Sequence, residues 1–257
     1  MRIALHPTTD AGHRAGRLLL AEADLEALGM YGHRGPATED RRSTAVTDLA
    51  GFTVLASDDT VAPLDLAAIA VEDHLSCILG ADASPSPGLA DRFSRAGLTL
   101  LVAASPAGLA GALLHHDALA AQPGQEALIA WTVPGKPLRR GEAVPFPAPL
   151  GARWGRRLPA RPGQDPSLVL VEVPVEGPWG GALAQVAGRP GPRPTQSLVA
   201  VADDRRHLEA ITLAAGALLV ARGGTAPGVS RPEDAAAGYL AEAAHVGLEL
   251  AGFDAQP

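Results

Sequence analysis

The first residues that could bind a ligand lie in a polar turn near the start of the chain. Residues 6–16 read His-Pro-Thr-Thr-Asp-Ala-Gly-His-Arg-Ala-Gly and stand between an apolar run and a helical pattern. A strand, a glycine-containing turn and a helix in this order can bind a dinucleotide pyrophosphate, because free N–H groups and the helix dipole point at the anion. The residues expected to contact the cofactor there are Thr8, Thr9, Gly12, His13 and Arg14.

Two features of the same turn argue against a bound dinucleotide. The dense glycine fingerprint of dinucleotide-binding turns is missing, and Asp10 would bring a negative charge close to the phosphates. The alternative is therefore a Rossmann-type domain that does not use a nucleotide.

Arg34 bears on the choice of cofactor, because it follows the second predicted strand. An acid at that position binds the ribose hydroxyls of NAD, whereas an arginine accommodates the additional phosphate of NADP. The segment Tyr-Gly-His-Arg at residues 31–34 contains no acid. We therefore predict NADP, or else NAD, as the cofactor. The alternative is that Arg34 belongs to a solvated loop.

Small and polar residues also follow three further apolar strands. In an open parallel sheet, the carboxyl ends of such strands line the ligand-binding crevice. Ordinary helix caps would explain Asp59 and Ser105 almost as well. The residues predicted to contact the cofactor at these ends are Ser57, Asp58, Gly80, Ala81 and Ser105.

Lys136 is the only lysine and the candidate catalytic residue. It follows a predicted strand in Trp-Thr-Val-Pro-Gly-Lys, where it could donate a proton or bind a substrate carboxylate. A lysine that only occupies a turn is the alternative. No metal site is predicted, because His115 and His116 are neighbours that point about 100° apart on a helix. Nearby arginines favour an anionic substrate: Arg139, Arg140, Arg153, Arg156 and Arg157.

The elements that must position these residues alternate between strand and helix over the first 121 residues. This alternation is typical of a parallel sheet with helices on both faces. Residues 33–47 are polar and predict an exposed connection. The predicted strands are 2–5, 25–32, 53–57, 76–80 and 98–103, and the predicted helices are 14–23, 63–75, 87–96 and 106–119.

Beyond residue 121 the pattern changes to strands separated by Gly- and Pro-rich loops. The predicted fold class is α/β, with a Rossmann-type domain at 1–121 and an α+β domain at 122–257 that contains a mostly antiparallel sheet. The last helix could pack back on the first domain. The strands predicted here are 127–133, 168–175, 183–187 and 197–202; the helices are 205–222, capped by Asp203, and 232–251.

Composition narrows the class of protein further. The chain has 257 residues, of which 47% are hydrophobic and 19% charged, as in soluble globular proteins. No apolar run is long enough to span a membrane, and the start does not resemble a secretion signal, so a cytoplasmic protein is expected. A formal charge of -7 argues against nucleic acid as the main partner. A single cysteine excludes an internal disulfide.

The order of these elements resembles the dihydrodipicolinate reductase family of two-domain NAD(P)-dependent dehydrogenases. Residues 57–60, Ser-Asp-Asp-Thr, resemble the family's aspartate-phenylalanine-threonine segment. Residues 80–83 stand where the family has a glycine-threonine-threonine-glycine turn, and residues 104–108 stand for its asparagine-phenylalanine-serine turn. The resemblance implies a cofactor crevice and a homo-oligomer formed through the sheet of the second domain.

The departures from this family fall in the chemistry. Its paired catalytic histidines and its serine-glycine-threonine substrate loop are missing, and only Lys136 falls in register. We therefore expect an NAD(P)-dependent oxidoreductase that transfers hydride to or from a small anionic substrate. The alternative is a non-catalytic Rossmann-fold binding or regulatory protein that has lost the reductase chemistry.

Overall fold

The computed structural model describes residues 1–32, 39–115, 126–160, 165–187 and 196–255. The first part of the chain forms strands β1 (Arg2–His6), β2 (Ala27–Tyr31), β3 (Ser43–Val46), β4 (Val54–Ser57), β5 (Ser76–Leu79) and β6 (Thr99–Leu101). Between them lie helices α1 (Asp10–Leu20), α2 (Pro63–Glu72), α3 (Pro87–Ala96) and α4 (Pro106–Leu114). The second part forms β7 (Ala127–Pro134), β8 (Glu142–Pro145), β9 (Ala152–Arg157), β10 (Leu168–Val175), β11 (Trp179–Ala187), β12 (Gln196–Asp204), α5 (Arg205–Ala221), β13 (Gly228–Ser230), a 3-10 helix (Pro232–Ala235), α6 (Ala236–His245) and β14 (Ala251–Ala255).

The first sheet has the strand order β13-β6-β5-β4-β1-β2-β3, and all its strands are parallel. Strand β1 lies between β2 and β4, so the chain reverses its direction of travel across the sheet there. Ligands bind at this switch point in doubly wound sheets. The predicted Rossmann-type sheet is therefore confirmed.

The second sheet has the order β14-β12-β11-β7-β10-β9-β8. Its neighbouring strands are antiparallel except for the parallel pair of β7 and β10. The predicted mostly antiparallel sheet is thus confirmed.

Several expectations about individual elements were wrong. Strand β3 lies inside the segment 33–47, which we expected to be an exposed connection; most of its side chains face solvent, so it leaves no apolar run to detect. Strands β8 and β9 were not expected either. The predicted helix 232–251 consists of the 3-10 helix and α6, after which Gly247 adopts a φ of +109° and the chain pairs with β12 as β14.

The two sheets enclose helices α4 and α5. One continuous apolar core contains Leu5 of the first sheet, Trp131 of the second, and most of the buried side chains of both helices. The division of the chain at residue 121 stays a prediction, and β13 of the later segment completes the first sheet. Within the described residues, no helix is long and apolar enough to cross a membrane.

Candidate ligand-binding crevice

The N-terminus of α1 lies at the switch point, and its free N–H groups already bind an anion of the chain itself. The carboxylate of Asp58, which follows β4, accepts hydrogen bonds from the backbone N–H groups of Thr8 at 2.6 Å, Thr9 at 3.0 Å and Gly12 at 3.0 Å. The hydroxyls of Thr8 and Thr9 also donate to it. Asp58 therefore takes the position in which a helix N-terminus would bind a phosphate.

The approach of this carboxylate depends on Gly12. A Cβ atom built on Gly12 would lie 2.4 Å from Oδ2 of Asp58, which is too close for any side chain. The glycine that suggested a phosphate-binding turn thus makes room for the chain's own carboxylate. Helix α1 begins at Asp10 rather than at the expected residue 14, because Thr9 caps it by accepting from the N–H groups of Ala11 and Gly12.

Ser57 joins the ends of β1 and β4 beneath the Asp58 carboxylate. It is fully buried, its hydroxyl donates to the carbonyl oxygen of His6 at 3.2 Å, and it accepts from the N–H of Asp59 at 3.0 Å. The N–H of Gly80 donates to the Ser57 carbonyl at 2.8 Å. Ser57, which we predicted to contact the cofactor, therefore supports the site by joining these two strand ends.

The residues present do not fit the pyrophosphate of a nicotinamide dinucleotide at α1. A phosphate could reach the N–H groups only by displacing Asp58 from its five donors, and the two anions would repel each other if both remained. Asp10, which we expected to lie close to the phosphates, pairs instead with Arg206 at 2.8 Å.

A cavity of about 230 Å³ opens beside Asp58, between the N-termini of α1 and α4 and the side of α5. Five of the predicted residues meet at this crevice: Thr9, Gly12, Asp58, Gly80 and Ser105. It is also lined by Ala11, Thr60, Ala104, Pro106, Glu209, Thr212 and Leu213.

Glu209 is the other acid of the crevice, and sequence reasoning missed it together with Thr212. Burial raises the pKa of Glu209, the charges of Asp58 and Asp204 add to this shift, and Arg205 and Arg206 oppose it. The sequence did contain a signal for these two residues. Glu209 and Thr212 are the only polar side chains between residues 208 and 221. Their spacing of three places them on one face of the helix.

The remaining predicted residues lie elsewhere. His13 and Arg14 line a second depression of about 430 Å³, where Arg14 pairs with Asp204 at 2.8 Å. Ala81 is not among the lining residues of the crevice, and its carbonyl accepts from the N–H of Ala103. Lys136 is exposed and does not line the crevice either. Arg34 lies outside the described residues.

The predicted cap of α5 also needs correction. Asp204, not Asp203, caps α5 by accepting from the N–H of His207 at 3.0 Å, while Asp203 contacts the ring of His207. Of the arginines taken as favouring an anionic substrate, Arg156 and Arg157 form ion pairs with acids of neighbouring strands. In the segments that the structure covers, no three His, Cys, Asp or Glu side chains are grouped to hold a metal ion.

The fold is similar to that of solved two-domain NAD(P)-dependent dehydrogenases. It is similar to a dipicolinate-bound dihydrodipicolinate reductase from Paenisporosarcina sp. TG-14, with a TM-score of 0.55, 12% identity, and coverage of 91% of this chain and 98% of that one. It is also similar to a myo-inositol dehydrogenase from Corynebacterium glutamicum ATCC 13032, with a TM-score of 0.53, 14% identity, and coverage of 100% of this chain and 99% of that one. A third similar structure is an engineered D-amino acid dehydrogenase bound to NADP+, with a TM-score of 0.52, 14% identity, and coverage of 90% of this chain and 92% of that one.

These similarities concern the fold alone, because the identities are so low. No protein-family model and no curated protein matches the sequence. The chemistry of the crevice must therefore be argued from the residues of this chain.

Proposed function

We propose that this protein is a non-catalytic, small-molecule-binding member of the dehydrogenase fold that does not use a nicotinamide dinucleotide. The observation that carries the proposal is the position of Asp58, which accepts hydrogen bonds from three backbone N–H groups and two hydroxyls at the start of α1. These are the groups with which this fold would bind a pyrophosphate.

The surroundings of the crevice also support loss of the reductase chemistry. Lys136, the only side-chain amine, is exposed and is not one of the residues that line the crevice. The two titratable groups among the described lining residues are the carboxyls of Asp58 and Glu209. Two acids without a neighbouring cation in the lining disfavour an anionic substrate as well as a dinucleotide.

The second candidate is the NAD(P)-dependent oxidoreductase expected from the sequence. It is favoured by the similarity of nearly the whole chain to solved dehydrogenases, one of them bound to NADP+. This candidate requires Asp58 to leave α1 when the cofactor binds. A shared fold is compatible with many functions, so we give the geometry of Asp58 more weight.

Calorimetric titration with NADPH and, separately, NADH tests the proposal. We expect no binding by the wild-type protein. The variant Asp58→Ser removes the internal carboxylate and should gain measurable affinity for NADPH and for inorganic pyrophosphate, because the N–H groups of Thr8, Thr9 and Gly12 become available.

Asp59→Ser is the matched control, because it removes the same charge from the next residue. The Asp59 carboxylate accepts from the N–H of Val61 and makes none of the bonds to α1. This variant should bind neither nucleotide. Micromolar binding of NADPH by the wild type, about -8 kcal/mol, would contradict the proposal and favour the oxidoreductase.

A further inference from the structure

The geometry points to a small cationic ligand, one that carries an ammonium group, as the occupant of the 230 Å³ crevice, with Glu209 as its counter-charge. This inference rests on the proposed function, because a dinucleotide would compete for the same space. It also replaces the anionic substrate that the sequence suggested.

The chemistry of the lining gives the sign of the ligand's charge. The described lining residues include the carboxylates of Asp58 and Glu209 and no lysine, arginine or histidine. An anion would meet two negative charges there and no positive side chain. An ammonium group would instead form charge-assisted hydrogen bonds.

Asp58 and Glu209 differ in their capacity to bind such a ligand. Asp58 already accepts from five donors of the α1 turn. The carboxylate of Glu209 accepts no hydrogen bond from the residues that the structure describes, so it is the group free to receive a donor from the ligand.

The two arginines nearest to Glu209 in sequence have other partners. Nη2 of Arg205 donates to the carbonyls of Val175 and Trp179, and Arg206 pairs with Asp10. Nε of Arg205 is buried and has no hydrogen-bond partner among the described residues. Although both lower the pKa of Glu209, burial and neighbouring acids hold it above the usual value. A raised pKa means that the ionised form of Glu209 is disfavoured, and a cation in the crevice would stabilise that form.

The remaining walls define the size and the apolar part of the ligand. Thr212 is fully buried, its hydroxyl donates to the carbonyl of Glu209, and its own carbonyl accepts from the hydroxyl of Tyr239. Pro106 and Leu213 supply apolar surface for a short hydrocarbon chain. The volume lies below the roughly 300–1,000 Å³ of sites for drug-sized ligands, which favours a short aliphatic amine.

Three probes of similar size but different charge test the inference: 1-amino-2-propanol, 1,2-propanediol and lactate. Amide chemical-shift titration measures the weak affinity expected of such small molecules. We expect the cationic probe to bind at least about tenfold more tightly than the neutral diol, with shifts at the crevice, and lactate not to bind. The variant Glu209→Gln should bind the cation no better than the diol.

Glu72→Gln is the matched control, because Glu72 lies on α2 in an exposed ion pair with Arg92. It should keep the preference of the wild type for the cation. Equal affinity for the cation and the diol, no binding of the cation, or an unchanged preference in Glu209→Gln would overturn the inference.

Adding NADPH to the same experiment separates the two proposals. Binding of NADPH to the wild type would overturn the proposed function, whatever the probes do. If neither NADPH nor the cationic probe binds, only the cationic ligand is excluded, and a protein that does not use a dinucleotide remains.

Discussion

Asp58 and Glu209 are carboxylates of the same crevice with opposite energetic roles. Asp58 is satisfied by five donors, whereas Glu209 is half-buried and accepts no hydrogen bond from the described residues. A carboxylate that is partly removed from water and has no partner destabilises the folded state when it is ionised. Glu209 is therefore a residue that stability alone does not explain.

Replacing Glu209 by glutamine should stabilise the ligand-free protein at neutral pH. The pKa of Glu209 is higher in the folded than in the unfolded chain, so the wild type loses stability as the pH rises through the interval between these two values. The melting temperature of Glu209→Gln should modestly exceed that of the wild type near neutral pH. The difference should vanish at acidic pH, where the glutamate is protonated in both states.

Calorimetric melting at several pH values measures this difference. Glu72→Gln, at an exposed position, should melt like the wild type throughout. A lower melting temperature for Glu209→Gln at neutral pH would mean that the ionised carboxylate has a stabilising partner, and it would contradict our account of the crevice.

The sequence predicted part of the site because strand ends and turns are local features. Thr8, Thr9, Gly12 and Asp58 were all predicted to contact a cofactor at this edge of the sheet, and the structure brings them together. The occupant of the α1 turn could not be predicted, because the contact joins residues about fifty positions apart. Glu209 was missed for the same reason, since α5 reaches the crevice from the other end of the chain.

At the scale of elements, an ion cluster around the buried Glu22 joins the C-terminal ends of α1, α5 and α6, remote from the crevice. Glu22, only 7% exposed, accepts from Arg222 at 2.8 Å and contacts His245 at 2.9 Å. Arg222 also pairs with Asp24 and Glu242. The cluster fixes how the three helices pack, so it helps to position α5 along the crevice.

Removing the cation of this cluster should be strongly destabilising. Arg222→Met leaves the carboxylate of Glu22 buried without its arginine, and we expect a loss of about 3 kcal/mol in the free energy of unfolding. Urea denaturation measures this loss. Arg92→Met, which removes an exposed ion pair with Glu72, should cost no more than about 1 kcal/mol. Equal losses in the two variants would argue against a structural role for the ion cluster.

Most elements with a continuous apolar pattern could be predicted, and those without one could not. Helices α2 and α3 begin at the expected prolines, Pro63 and Pro87. Strands β3 and β14 were missed, because they lie at sheet edges and are held by backbone pairing with β2 and β12 rather than by an apolar run. Backbone pairing with a distant strand leaves little trace in the local sequence.

At the scale of the whole molecule, α5 connects the two sheets. It packs against α1, β4 and β5 around the first sheet and against β11 of the second. A single apolar core runs through these contacts, and each sheet has a further core on its far face. Because the middle core is shared, we expect the two sheets to unfold together.

Two intrinsic probes report on the two sheets separately. Cys77, the only cysteine, is fully buried in β5 of the first sheet, whereas all three tryptophans lie in strands of the second. Burial also raises the pKa of the Cys77 thiol, so it should react with a disulfide reagent only after unfolding. Thiol reactivity and tryptophan fluorescence should therefore change at the same urea concentration.

A core substitution on one sheet tests this coupling more stringently. Leu183 is fully buried in the far core of the second sheet and does not belong to the core around Cys77. Leu183→Ala should cost about 2–5 kcal/mol and shift the thiol transition of the first sheet as far as the fluorescence transition of the second. Leu55→Ala, in the far core of the first sheet, is the reciprocal variant and should shift both transitions together. If either variant moves only the probe on its own sheet, the sheets unfold independently, and α5 would not transmit stability between them.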